Sequence, residues 1–376
     1  MLLGKPTRAL AAMLLTLTTG LAHADTDTLQ AQVDAIGDTA VVGVLASSTT
    51  GAGSHGARAG VADISTGAPV PLDAEFRIGS VTKTFVATVV LQLVGEGRLS
   101  LDDTVARWLP GVVNGNGNDG AAITIRELLQ HTSGLHNYTD DLQAQITSVK
   151  AYRKLEFHQF SRMDLLKIAL AHKQYFAPGT GWHYSNTNYI LLGMIIEKVT
   201  HRPWASVVAR RIAGPLGLHH TFAPGNSVRL PRPHATGYLF FSRNVRIDTT
   251  AENMSWARSA GGLISNAADL TRFWQAIGHG TLLAPAQRRE MERTVPADAG
   301  DAASVPGSRY GLGIFRIPLT CGGFYWSHEG DVPGYNTIGA VSADGRKTVV
   351  LSLDSNVENP QLAAEYGLVD HVMCSK

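Results

Sequence analysis

Ser80-Val-Thr-Lys83 sets a hydroxyl and an amine three positions apart. On a helix, positions i and i+3 share one face, so the two groups meet. A serine attacks a carbonyl only when a base takes its proton. Lysine serves as that base only when burial or a neighbouring cation lowers its pKa from about 10.4. A serine at a helix start also lies beside free backbone N–H groups, which favour developing negative charge. Tyr184-Ser-Asn186 comes next, between the turn Pro178-Gly179 and an apolar run. A phenol relays a proton, and an asparagine amide holds a substrate carbonyl. His328-Glu329-Gly330 is the third cluster. Its glycine admits a ligand close to the backbone, and its histidine polarises the serine–tyrosine pair. Each cluster alone has an ordinary reading: a capping serine before an exposed lysine, a turn capping the next helix, a structural strand histidine. Their combination and order carry the argument.

The elements that must position these residues are legible in outline. Residues 41–46 (VVGVLA) read as a buried strand. Residues 76–80 lead into a helix whose apolar positions, Val81, Phe85, Val86, Val89, Val90, Leu93 and Val94, recur at three and four residues. Gly95 and Gly97 end it. Residues 114–120 (NGNGNDG) form a loop of residues that tolerate positive φ. Helical patterns follow at 125–130, 162–172 and 187–200. Residues 310–317, 324–328, 337–342 and 348–354 read as four short strands, with a hairpin at Ala343-Asp344-Gly345, and 361–373 as a closing helix. An early strand, a helical middle and late antiparallel strands give an α+β architecture. The first strand joins the late ones in a single antiparallel sheet flanked by helices. The sheet lobe takes about 25–105 and 255–376, and a mostly helical second lobe takes about 106–254.

Lys5 and Arg8, an apolar run over 9–21, and Ala22-His23-Ala24 before Asp25 have the order of a secretory signal peptide covering 1–24. The run is too short to span a bilayer, and no later stretch reaches about 18 unbroken apolar residues. The chain is expected to be exported, to the periplasm or outside the cell. A formal net charge of +1 gives no sign of nucleic-acid binding. The two cysteines, Cys321 and Cys374, are expected to form one disulfide in that oxidising setting. No metal is expected. His131 and His136 read as structural, His219-His220 as surface or packing residues, and Trp182 and Tyr138 as lining the cleft or filling the core.

The triple Ser-x-x-Lys, Tyr-x-Asn, His-x-Gly resembles the signature of penicillin-binding proteins and serine β-lactamases. Residues 76–83 (FRIGSVTK), 128–135 (LLQHTSGL), 184–188 (YSNTN), 255–262 (SWARSAGG) and 310–313 (YGLG) are similar to the class C group and its DD-peptidase relatives. The pattern is nearest to secreted serine DD-carboxypeptidases of actinomycetes, including the places of Cys321 and Cys374. The resemblance implies the β-lactamase/DD-peptidase-like fold, with Ser80 as nucleophile, Lys83 as its base and Tyr184 as the proton relay. It implies Asn186 as a substrate-amide ligand, His328 and Gly330 beside the substrate, an oxyanion hole from the N–H groups of Ser80 and Asp331, and Trp256 along the cleft. It implies a small-molecule or peptide substrate, a β-lactam as acylating inhibitor, and no cofactor.

Three positions depart from the pattern. The secreted DD-carboxypeptidases hold a free terminal carboxylate with hydroxyls on the His-x-Gly strand and an arginine on the preceding strand. Here Glu329 and Asp331 stand on one side of the strand by alternation, and Phe315 takes the arginine's place, with Arg316 pointing the other way. A carboxylate ligand would be repelled. The reading is a serine acyl hydrolase forming an acyl-Ser80 intermediate on D-amino-acid peptides or related amides and esters. The alternatives are a β-lactamase, an esterase or D-aminopeptidase, and a non-catalytic penicillin-binding sensor.

Overall fold

The computed structural model describes residues 28–39, 41–242, 244–297, 305–356 and 359–375. The expected signal segment lies outside the described residues. Among these, no helix is long and apolar enough to cross a membrane.

An eight-stranded antiparallel sheet organises the molecule. Its strands are β1 (Gly43–Thr50), β2 (Gly53–Gly60), β3 (Val295–Pro296), β4 (Arg309–Tyr310), β5 (Phe315–Pro318), β6 (Phe324–Val332), β7 (Tyr335–Ser342) and β8 (Thr348–Leu353). The order is β2-β1-β8-β7-β6-β5-β4-β3. The early strand therefore does join the late ones, as its apolar run predicts. The expected 310–317 strand is two strands, split at Gly311–Gly313. Gly313 has φ +79, and a Cβ there would sit 2.4 Å from that of Ala87. The expected 324–328 strand runs on to Val332, so His328 lies within it rather than at its end.

Alternation on β1 sends Leu45 to one face of the sheet and Val44 and Ala46 to the other. The second face is covered by α1 (28–37) and the C-terminal α5 (Asn359–Cys374), through Leu29, Val33, Ile36, Leu368, Val369 and Val372. The first face meets α4 (Ala267–His279), and α2 (Thr82–Gly95) packs in the same core. Nearly every residue of α2 is buried, as in a helix packed on all sides. Phe85 stacks on Phe273 of α4 at 3.6 Å. The Asn266 side chain caps α4 by accepting from Asp269 N–H, and Gly280 at φ +71 ends it. Between Trp108 and Met254 the regular elements are mostly helices, with a hairpin at Tyr238–Ser242 and Val245–Asp248. The helices include Ile125–Gln130, opened by a Thr124/Glu127 capping box, and α3 (Asn186–Thr200). Cys321 and Cys374 are bonded, which ties the end of α5 to the turn between β5 and β6.

Candidate active site

Ser80 lies in a single 3-10 turn, Gly79–Val81, which runs directly into α2. Backbone packing sets that turn against β6. A Cβ at Gly330 would stand 1.9 Å from the Ile78 carbonyl oxygen and 3.0 Å from the Ser80 nitrogen. A Cβ at Gly79, itself at φ +48, would stand 2.7 Å from the Asp331 nitrogen. Only two glycines permit this approach, and it brings the Ser80 and Asp331 backbone nitrogens together.

Lys83, one turn on, is fully buried. Its Nζ donates to Ser80 Oγ at 2.8 Å, Asn186 Oδ1 at 2.7 Å and the Ala260 carbonyl at 2.7 Å. None of the three is a carboxylate, so nothing nearby offsets the loss of hydration. Burial therefore holds the amine's pKa well below its usual value. Asn186 is braced in turn: its Nδ2 donates to Asn137 Oδ1 and to Thr139 Oγ1, at 3.3 and 3.0 Å. Both amide hydrogens are thus engaged, and Asn186 orients Lys83 as the site stands.

The Tyr184 ring lies under the lysine, with Nζ 4.7 Å from its centroid. Burial raises the phenol well above its ordinary pKa, and the Ser80 hydroxyl works against that rise. His131 backs this ring at 4.3 Å. Its Nδ1 accepts from Ser185 N–H and Asn188 Nδ2, both at 3.1 Å, so this histidine supports the Tyr184 segment from below.

His328 Nδ1 donates to the Glu329 carbonyl at 2.7 Å, which leaves Nε2 to accept from the Tyr310 hydroxyl at 3.0 Å. Burial, with Lys83 adding to it, pushes the imidazole down to about 3. His328 is a neutral hydrogen-bonding group here and not a cation.

These residues border a cleft of about 380 Å³ lined by Ser80, Asn137, Thr139, Asp140, Gln143, His183, Tyr184, Asn186, Phe315, His328, Glu329 and Asp331. Three carboxyl groups and no lysine or arginine are among them. Burial, reinforced by Asp331, pushes Glu329 up to about 8. Asp331 stands on the cleft wall, and desolvation there raises it to about 6. Behind them Tyr366 of α5 donates to Glu329, and Glu365 is fully buried with no hydrogen-bond partner for either oxygen among the described residues. Burial, then Glu329 and Asp331, raise Glu365 well above a carboxylate's usual range. The Arg316 guanidinium lies 4.0 Å over the Phe324 ring, and Arg258 donates to the Phe160 carbonyl, so neither reaches the cleft.

Of the residues singled out from sequence, Ser80, Lys83, Tyr184, Asn186, His328, Gly330, Glu329 and Asp331 are brought together. Trp256 stands next door. Its indole donates to Glu252 at 3.0 Å and lines an apolar cavity of about 300 Å³ that shares Thr139, Gln143 and Asp331 with the cleft. Tyr138 and Trp182 are core residues, and His220 pairs with Glu75 at 2.7 Å. Sequence reading missed Tyr310 as the partner of His328, Asn137 and Thr139 as braces of Asn186, and Glu365. The last left a signal, since Glu365 shares a helix face with Leu368, Val369 and Val372.

A family profile described as Beta-lactamase matches residues 13–372. Penicillin-binding protein 4* of Bacillus subtilis is 28% identical over 324 residues, covering 84% of this chain and 68% of that protein. Esterase EstB of Burkholderia gladioli is 31% identical over 291 residues, 69% of this chain and 71% of the other. Among solved structures, a D-stereospecific amidohydrolase from Streptomyces sp. superposes with TM-score 0.84 at 36% identity, over 93% of this chain and 99% of that one. The D-amino acid amidase of Ochrobactrum anthropi SV3 gives 0.80 at 26%, over 93% and 97%. With that profile spanning nearly the whole chain, the protein belongs to the β-lactamase family and is a serine hydrolase of the β-lactamase and penicillin-binding-protein type.

Proposed function

We propose that the protein is a serine amidase whose substrates carry a free amino group beside the scissile carbonyl: amides and short peptides of D-amino acids with unblocked N-termini. The carrying observation is the acidic wall of the cleft, where Glu329 and Asp331 stand with no lysine or arginine among the described residues that line it. A substrate ammonium would supply the missing cation and return Glu329 to its ionised form. Similarity to the D-stereospecific amidohydrolase supports the amide bond and the D configuration. Among the described residues a free terminal carboxylate finds no lysine or arginine lining the cleft, so a DD-carboxypeptidase preference is disfavoured.

In its unprotonated form Lys83 gives up its donation to Ser80 and takes the Ser80 proton as Oγ bonds to the carbonyl carbon. The N–H groups of Ser80 and Asp331 hold the oxyanion. The proton passes through Lys83 and Tyr184 to the leaving nitrogen, the C–N bond breaks, and the acyl group stays on Ser80. Water then adds to the ester, giving one proton back to Ser80 Oγ as the C–O bond breaks, and the carboxylic acid departs.

Hydrolysis of D-phenylalanine amide against its N-acetyl derivative tests the charge requirement. Charge-assisted hydrogen bonds contribute about 1.5–3 kcal/mol, so acetylation is expected to lower kcat/KM about 10- to 100-fold. Glu329→Gln with Asp331→Asn should erase most of that preference. Equal or better turnover of the acetylated amide by the wild type would sink the reading. The preference should also grow as pH rises through about 6 to 8, where Asp331 and Glu329 ionise. It should fall once the substrate amine, near pKa 8, loses its proton. The acetylated amide isolates the Lys83 limb of the profile. Stability should run the other way. Carboxyls whose folded pKa is raised stabilise the fold below their unfolded pKa and lose that contribution as pH climbs through the folded value. The wild-type Tm should therefore decline between pH 5 and 8, on the order of those two values, more than that of the double variant.

A further inference from the structure

We propose that His136, Asp141 and His172 form a zinc site at the rim of the cleft, outside the catalytic machinery. His136 lies in the loop before the helix Tyr138–Ala144, Asp141 lies on that helix, and His172 follows the helix Arg162–Leu170. Far apart in sequence, the histidines gave no metal-spacing signal, and His136 read as structural.

Both imidazoles aim Nε2 at a single carboxylate. His136 Nε2 is 2.7 Å from Asp141 Oδ2, and His172 Nε2 is 2.9 Å from Oδ1. The rings stack at 3.8 Å, 19° from parallel, which turns the two nitrogens to the same side. All three donor atoms lie within 4.8 Å of one another. A tetrahedral zinc with bonds of about 2.0–2.1 Å separates its ligand atoms by about 3.3 Å, so donor atoms already within 4.8 Å of one another need only a modest shift to hold it. The ion would replace two imidazole protons now shared with Asp141. Two neutral imidazoles and a carboxylate are a donor set suited to zinc, with the fourth position left to water. The ring of His172 is 43% exposed and that of His136 only 13%, so solvent delivers the ion to a partly sheltered seat. Asp140, next in sequence, is not a further ligand: it accepts from Asn137 Nδ2 at 2.6 Å and from the Tyr175 hydroxyl at 3.0 Å.

The site is joined to the chemistry through the backbone. The His136 carbonyl accepts from Ser185 Oγ at 3.2 Å and from Thr187 Oγ1 at 2.6 Å. The next residue, Asn137, holds Asn186, which holds Lys83. Zinc would therefore stiffen the loop that fixes the lysine's brace.

The test uses untagged, EDTA-stripped full-length protein, titrated with zinc chloride by calorimetry and assayed for metal after dialysis. One zinc per chain is expected, together with a rise in Tm. His172→Ala and Asp141→Asn should each weaken binding at least tenfold and abolish the Tm rise, while His219→Ala changes neither. Circular dichroism of the metal-free variants establishes that they fold, and cobalt(II) should give a four-coordinate spectrum in the wild type alone. No zinc retained by the wild type, or equal affinity in His172→Ala and Asp141→Asn, would overturn the proposal.

Discussion

Ser80→Ala is expected to lower kcat by roughly 10⁴-fold or more on any amide or ester the wild type turns over, because the covalent route disappears. What survives should be the modest acceleration that binding and the paired Ser80 and Asp331 N–H groups give to attack by water. The fold should be unaffected. Ser80 is only partly buried, and its hydroxyl meets the Lys83 amine at 2.8 Å, which keeps two other acceptors in Asn186 and Ala260. An unchanged circular dichroism spectrum with turnover gone is the expected pair of results. Retention of more than about a tenth of kcat would point to a nucleophile other than Ser80, since losses of that size belong to binding contacts rather than to the attacking group.

Lys83→Met carries the second large effect. General-base catalysis contributes about 10²- to 10⁴-fold, and this lysine stands in hydrogen-bond contact with the hydroxyl it would deprotonate. Methionine fills a similar volume, so the core around α2 should hold. The Asn186 Oδ1 and Ala260 carbonyl then lose their partner. Leaving a buried acceptor unpaired costs about 1–3 kcal/mol, so a fall in Tm should accompany the loss of rate. The pH profile separates the two causes. Burial lowers the lysine's pKa, so wild-type kcat/KM on the acetylated amide should rise with pH until the amine is neutral. That limb should vanish from the residual activity of Lys83→Met. A variant that keeps the limb would assign the base to another group.

The candidate cluster was readable because three short patterns, each ordinary alone, occur together and in order. Ser80 and Lys83 share a helix face, Tyr184 and Asn186 flank a helix start, and Gly330 is the one residue on β6 that lets the Ser80 turn approach. The architecture was readable where strands carry a short apolar run, as in the first half of β1 and in β8. It was not where local composition speaks against the element. β2 reads GSHGARAG and forms because β1 offers it an edge along its whole length. The tight turn at Gly311–Gly313 broke a strand that alternation alone makes continuous. α4 escaped notice although Asn266 and Gly280 bracket it as caps. The acidic wall was half legible. Glu329 and Asp331 follow from alternation on β6, but Glu365 comes from α5, which packs on the face of the sheet that Glu329 points to, and depends on tertiary packing. The same holds for Tyr310, which hydrogen-bonds His328, and for His172, which meets His136 only when two helices fold together.

The central claim is that Ser80 is the atom-donating nucleophile, and labelling tests it most directly. Native protein treated with a fluorophosphonate, digested and mapped by mass spectrometry should carry a single adduct on Ser80, suppressed by prior incubation with a β-lactam. An adduct on another serine, or labelling of Ser80→Ala equal to that of the wild type, would contradict it.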